Sequence, residues 1–238
     1  MMLMPLVALA DTEEVDGIKW RYVVNDGEAR VGDDGSWPSA IPSTTKGAIT
    51  IPTTLGGMPV TSIGSSAFRE CDALTSVTIP SSVRIIESSA FSYCRGLTSM
   101  VVPEGVTSIG FGAFWGCSGL LQVSLPNTVT NIGSQAFREC TRLQDYGGFV
   151  IVRNVLYDYF GTTSIVQVPE GVRVVDAYAF WCNSPEKIIL PEGVEEIGFH
   201  AFNNSIFEEL VIPKSVTKLD NDAFAFCEGI KHLVVPAT

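Results

Sequence analysis

The sequence predicts an α/β repeat solenoid, a stack of short parallel strands joined by short helical turns behind an N-terminal β-hairpin cap. Three observations predict it. The pair Ala-Phe returns at Ala67-Phe68, Ala90-Phe91, Ala113-Phe114, Ala136-Phe137, Ala179-Phe180, Ala201-Phe202 and Ala223-Phe224, with phenylalanines 23, 23, 23, 43, 22 and 22 residues apart. A fixed period of this size marks a repeat architecture, and the long step is one repeat plus about twenty inserted residues. The other apolar positions keep the same register: Leu74, Val77, Ile79, Val83, Ile86, Phe91 and Cys94 are answered by Leu97, Met100, Val102, Val106, Ile109, Phe114 and Cys117. The next copy supplies Leu120, Val123, Leu125, Val129, Ile132, Phe137 and Cys140. Finally, no single copy encloses its own hydrophobic face, so copies must stack, with strands ~4.8 Å apart.

In chain order, residues 1–10 are apolar and end in Ala8-Leu9-Ala10 before Asp11, the small-x-small pattern of a signal-peptidase site. With no basic leader, they read as a signal-peptide remnant. Residues 11–45 precede the first full copy. Ile18, Trp20, Tyr22 and Val24 alternate up to Asn25-Asp26-Gly27, a strong hairpin turn, and Ala29 and Val31 continue beyond it. A cap is needed over the first apolar rung, and this segment with Trp20 and Trp37 is the candidate.

Residues 46–238 are the solenoid. Val77 and Ile79 alternate with Ser76 and Thr78, the period-two pattern of a strand with one buried face. Proline cannot donate to a ladder, so it closes strands, here at Pro52, Pro80, Pro103, Pro126, Pro169, Pro191, Pro213 and Pro236. A second apolar pair follows, such as Val83 and Ile86, often with a glycine after it, as at Gly64, Gly110, Gly133 and Gly198. Ala67, Cys71 and Leu74 then stand i, i+4, i+7, the spacing of a helical turn or two. The long step holds a hairpin at about 145–162, with Phe149-Val150-Ile151-Val152 and Val155-Leu156-Tyr157-Asp158-Tyr159 about Arg153-Asn154. It either fills the stack or builds a local binding surface. The chain stops at Pro236-Ala237-Thr238, in the middle of a unit, which reads as a fragment or an open rung.

The pattern Leu-x-x-Val-x-Ile-Pro-x-x-Val-x-x-Ile followed by Ala-Phe-x-x-Cys-x-x-Leu, running from about Ala48 to Pro236, resembles the BspA-like, or Treponema pallidum type, leucine-rich repeats. That resemblance implies an exported or surface-displayed bacterial binding protein. Near the C-terminus the copies drift: Ser205 replaces the cysteine, and Phe207 or Ile230 the leucine. These swaps read as keeping the apolar role.

With 46% hydrophobic and 17% charged residues in 238, the chain orders a large core. Its net charge of −11 argues against nucleic-acid backbones and anionic membranes as partners. No apolar run approaches the ~20 residues of a membrane span. Cys71, Cys94, Cys117, Cys140 and Cys227 share one repeat position and Cys182 is one residue early; these six read as a ladder of buried structural thiols rather than disulfides. No metal or other cofactor is expected, since no Cys-x-x-Cys occurs and His200 and His232 stand alone. Neither a Gly-x-Ser-x-Gly elbow nor a phosphate-binding loop occurs, and Glu104, Glu170 and Glu192 fall on separate rungs.

What remains is surface. Outward strand residues should line one face in order: Ser76 and Thr78, Ser99 and Val101, Gln122 and Ser124, Ile165 and Gln167, Lys187 and Ile189, Glu209 and Val211, His232 and Val234. The candidate binding residues are the polar ones, Ser76, Thr78, Ser99, Gln122, Ser124, Gln167, Lys187, Glu209 and His232. Trp115 and Trp181 follow the Ala-Phe pair where other copies carry Arg69, Ser92 or Arg138. They either offer an exposed aromatic face or pack on the Tyr157/Tyr159 hairpin. The expected function is non-catalytic binding of an extracellular or cell-surface protein, in adhesion or a similar interaction. A recognition segment of a larger surface enzyme and a polysaccharide-binding module are the alternatives, the last depending on the tryptophans.

Overall fold

The computed structural model describes residues 10–32, 39–145 and 147–235, so the expectations for residues 1–9, Trp37 and Pro236 lie outside it. Two units, Met1–Ala136 and Phe137–Thr238, divide the chain.

The first unit opens with an antiparallel ribbon in which Asp11–Val15 pairs with Ile18–Asn25, and Ile18–Asn25 with Glu28–Val31. Both turns carry Asp-Gly with positive φ at each residue, 53° and 72° at Asp16-Gly17, 51° and 79° at Asp26-Gly27. This mirror-image turn matches the twist of two paired strands. Asp11–Val15 is a strand the sequence reading lacked, and Asp16-Gly17 was its signal. Glu28–Val31 then pairs in parallel with Met58–Ile63, which begins a sheet continued by Ile85–Ile86, Ser108–Ile109 and Asn131–Ile132. The longer strands pair separately, Gly47–Thr50 with Leu74–Thr78 and Ser99–Val101 with Gln122–Ser124.

The second unit follows the same plan. Phe149–Val152 and Val155–Tyr159 form an antiparallel hairpin. Val155–Tyr159 also pairs in parallel with Val174–Val175, and the sheet continues through Glu196–Ile197 to Lys218–Leu219. The inserted segment is therefore the first part of a sheet, with Tyr157 and Tyr159 buried. Ile165–Gln167, Lys187–Ile189, Glu209–Val211 and His232–Val234 make the unit's four-stranded sheet of longer strands.

The expected helical turns do not form: the described residues contain no helix. Two left-handed corners, four residues apart, stand where each turn was expected: Ser66 and Glu70, Ser89 and Tyr93, Gly112 and Gly116, Tyr178 and Cys182, His200 and Asn204, Asp222 and Phe226. A left-handed residue breaks a right-handed helix. The backbone bonds are also spent differently. A helix would commit the Phe68 N–H to the carbonyl four residues back, but it donates to Ala90 of the next rung at 2.7 Å. Phe91 to Ala113 (2.8 Å) and Phe114 to Ala136 (2.9 Å) repeat that bond in the first unit, as do Phe180 to Ala201 (2.8 Å) and Phe202 to Ala223 (2.9 Å) in the second. Within a rung, three-residue turns such as Cys71 N–H to Phe68 carbonyl (3.1 Å) complete the pairing.

The Ala-Phe period gives the core its spine. Phe68, Phe91 and Phe114 stack face to face at centroid distances of 5.0 and 5.4 Å, and Trp20 of the ribbon meets Phe68 edge-on at 6.2 Å. In the second unit Phe180, Phe202 and Phe224 stack at 5.2 Å per step, with Tyr159 against Phe180 at 5.5 Å. Ring spacing follows strand spacing because each ring hangs from the same backbone position one rung on. Burying such a ring is worth about 2–3 kcal/mol, with up to about 1.5 kcal/mol more per aromatic pair.

Candidate functional site

The outward residues of the longer strands come together as columns. In the second unit Ile165, Lys187, Glu209 and His232 stand in register across four strands, and Gln167, Ile189, Val211 and Val234 form the next column. Lys187 Nζ donates to Glu209 Oε1 at 2.7 Å, so this pair is already joined. Gln167 and His232 are exposed, while Lys187 and Glu209 are half-buried. Of the β-branched members, Ile165 at 58% and Val234 at 51% are open to solvent, and Ile189 is half-buried. In the first unit Ser99 and Val101 face Gln122 and Ser124 in register, and Ser76 and Thr78 lie opposite Ala48 and Thr50. Ser76 and Ser99 are half-buried; Thr78, Gln122 and Ser124 are exposed. Both units thus mix hydrogen-bonding side chains with apolar ones on strands joined by parallel ladders.

A second surface lies at the left-handed corners. In the first unit Tyr93 is flanked by the guanidinium groups of Arg69 at 5.9 Å and Arg95 at 5.2 Å, and half-buried Trp115 tilts against it at 5.9 Å. In the second unit Arg138 stands over Tyr178 at 4.8 Å and over Trp181 at 5.2 Å. Tyr178 Oη meets His200 Nδ1 at 3.0 Å, and exposed Phe199 stacks on the His200 ring at 3.9 Å. Trp181 is half exposed, whereas the hairpin tyrosines are buried, Tyr157 against Phe137 and Tyr159 against Phe149 and Phe180. The sequence reading picked out the tryptophans and missed Phe111 and Phe199, both exposed and each two residues before an Ala-Phe pair. The available signal was the Gly-Phe dipeptide at Gly110-Phe111 and Gly198-Phe199.

The cysteine position is a donor slot. Cys94 Sγ donates to the Phe68 carbonyl at 2.9 Å, Cys117 to Phe91 at 3.0 Å and Cys227 to Phe202 at 3.0 Å. All six thiols are free. Burial pushes the Cys71 thiol up to about 11 and the Cys94 thiol well above its ordinary value, so both stay protonated and unreactive at neutral pH. Two expectations need correction. Ser205 does not keep an apolar role, since its buried hydroxyl donates to the Phe180 carbonyl. Cys182 is exposed and outside the ladder, because one residue of offset puts it on the left-handed corner, where Asn204 Nδ2 reaches its sulfur at 3.0 Å. Asn183 occupies the slot instead, donating to the Tyr159 carbonyl at 3.3 Å.

Beneath the Arg138 corner, Asp158 accepts the Glu139 N–H at 3.0 Å and the Tyr159 N–H at 2.9 Å. Burial raises its carboxyl to about 6 even though those bonds and Arg138 favour the charged form. Among the described residues no group of three or more His, Cys, Asp or Glu is placed to hold a metal, and no helix is long and apolar enough to cross a membrane.

The model of the BspA type leucine rich repeat region, in six copies, matches residues 48–161 and 149–231. The chain belongs to this family. Among solved structures, this BspA-type protein is similar to a leucine rich cell surface protein from Faecalibacterium prausnitzii, with 27% identity and a TM-score of 0.53 over 94% of this chain and 54% of that one. A leucine-rich repeat protein from Bacteroides ovatus shares 24% identity with a TM-score of 0.51, over 94% and 53% of the two chains. The leucine rich repeat protein of Treponema pallidum aligns at 21% identity and a TM-score of 0.49, over 90% and 83%. The chain spans about half the length of the Faecalibacterium and Bacteroides proteins. No curated protein matches it. The family is one of leucine-rich repeat modules, a class of protein-interaction repeat.

Proposed function

We propose that this chain is an exported, non-catalytic recognition module that binds a protein partner at the cell surface through the outward face of its longer strands. The observation that carries the reading is the pair of in-register columns in the second unit, Ile165/Lys187/Glu209/His232 and Gln167/Ile189/Val211/Val234. A sheet of paired strands loses little entropy on binding, and columns that mix apolar with polar side chains suit an extended partner. Cell-surface display rests on the Faecalibacterium relative, described as a cell surface protein, and on the small-x-small segment before Asp11. The ribbon of residues 11–31 acts as the cap of the first unit, a role supported by the Trp20 contact with Phe68.

The test is a binding screen of residues 11–238 against extracellular-matrix proteins and mucins, run beside a variant with Gln122, Gln167, Lys187 and Glu209 all changed to Ala. Binding by the native chain that the variant loses supports the strand face. A partner held equally by both would move the site elsewhere, and silence from a well-folded sample would count against a free-standing adhesive role.

A further inference from the structure

A cleft of about 350 Å³ opens in the second unit between residues 161–164, just after the hairpin, and the corner at 182–185. Its walls are Tyr159, Thr162, Thr163, Ser164, Asn183 and Ser184, with Gly161, Cys182 and Pro185 completing the lining. The chemistry is uniform: four aliphatic hydroxyls, one phenol and one carboxamide. No lysine or arginine lines it to neutralise an anion, and no carboxylate lines it to hold a cation.

Part of this lining is held in place by the fold. Tyr159 Oη and Thr163 Oγ1 are 3.0 Å apart. Asn183 Nδ2 donates to the Tyr159 carbonyl at 3.3 Å and to the Trp181 carbonyl at 3.1 Å, which fixes the carboxamide and leaves Oδ1 as an acceptor. At Gly161 an added Cβ would lie 2.3 Å from Tyr159 Oη, so only glycine lets the phenol lie against that loop. Around these fixed groups Thr162, Ser164 and Ser184 are exposed.

We propose that this cleft binds a neutral pyranose unit of a glycan. Such a ring carries hydroxyls that both donate and accept, matching walls built of hydroxyls and an amide oxygen. A charged ligand would find no counter-charge in the lining, and an apolar one would strand the wall's polar groups. The volume lies at the small end of ligand sites, about 300–1,000 Å³, which fits one or two sugar rings. This inference does not rest on the strand-face reading.

The experiment is saturation-transfer NMR on the full chain with glucose, galactose, mannose, N-acetylglucosamine and N-acetylgalactosamine, and with sialic acid as the charged comparison. At least one neutral sugar should give transfer with millimolar affinity and sialic acid none. Asn183→Ala should abolish the signal, and Thr162→Val and Ser184→Val should each weaken it about fivefold, the share of one neutral hydrogen bond. Because Asn183 bridges two segments, its variant could unfold the corner; Thr162 and Ser184 make no side-chain hydrogen bond among the described residues, so their variants keep the test sharp. The change of Gln122, Gln167, Lys187 and Glu209 to Ala should leave sugar binding intact. Absence of transfer from every neutral sugar, or transfer unchanged in the Thr162→Val and Ser184→Val variants, would overturn the proposal.

Discussion

Cys94, Cys117 and Cys227 each place a thiol on a phenylalanine carbonyl one rung back, and at Ser205 a hydroxyl does the same. The slot therefore selects a side chain with a hydrogen to give, as Asn183 also shows, and hydropathy does not distinguish a buried thiol donor from a small apolar group. Ser205→Ala should lower the urea midpoint of the second unit by the equivalent of about 1 kcal/mol, while Ser205→Cys should stay near wild type, because only the first removes the donor. Equal losses in both would show that volume rather than the hydrogen bond governs the site. Asp158 supplies a pH-dependent contribution of the opposite kind to a salt-bridged carboxylate. Its folded value of about 6 lies above the ordinary 3.8, so its stabilising share is full below about pH 4 and is lost as pH rises through 6. Chemical unfolding between pH 4 and 7 should show stability falling by about 1–3 kcal/mol in the wild type, a fall that Asp158→Asn lacks. A variant with the same pH profile would assign that fall to another group.

At the scale of the element, the period, the longer strands and the hairpins at Asn25-Asp26-Gly27 and Arg153-Asn154 were legible because each is written in a pattern with a single geometric meaning. Alternation at Val77 and Ile79 admits only a strand with one buried face, and Asn25-Asp26-Gly27 admits few turns. The corners were not legible. Ala67, Cys71 and Leu74 fit a helical face as well as they fit two left-handed corners, since both bring every third or fourth side chain inward. The discriminating signal was Gly112 and Gly116, four apart, at corners that other copies fill with residues such as His200, Asn204 and Asp222. Left-handed backbone costs a non-glycine residue about 1–2 kcal/mol. Gly112→Ala isolates that cost, because its Cβ would meet nothing nearer than 3.5 Å, and the variant should lose about 1 kcal/mol. Gly116→Ala should lose more, since there the Cβ would lie 2.4 Å from the Tyr93 ring and disturb the Arg69/Tyr93/Arg95 cluster. Ser89→Gly, at a corner with φ of 58°, should raise the midpoint instead. Three midpoints from urea titrations, ordered this way, test the corners as a class; a stable Gly116→Ala would contradict the close approach of Tyr93. The candidate sites were half legible for the same reason: strand alternation gives the outward columns, but the loop at residues 161–164 meets the 182–185 corner only in three dimensions.

At the scale of the whole molecule, each unit taken by itself is one-dimensional in its energetics, because a rung's hydrogen bonds and ring contacts go to the rungs on either side. In the first unit Phe91 stacks on Phe68 and Phe114 and sends its N–H to Ala113, while Phe68 sends its own to Ala90. Phe91→Ala removes both stacks and should cost about 3–5 kcal/mol. The loss should also be local in a way it would not be in a globular core. Repeat stability is a sum of rung and nearest-neighbour contributions, so weakening one interface permits partial opening before the whole unit is lost. Hydrogen exchange should therefore show the amides of Phe68, Phe91 and Phe114 losing most protection, with those of Val23 and Arg30 in the ribbon losing least, since these two pair with each other across the antiparallel ribbon. Were protection instead to fall by one common factor from Asp11 to Ala136, the unit would open all at once, and its rungs would be coupled more strongly than their neighbour contacts account for.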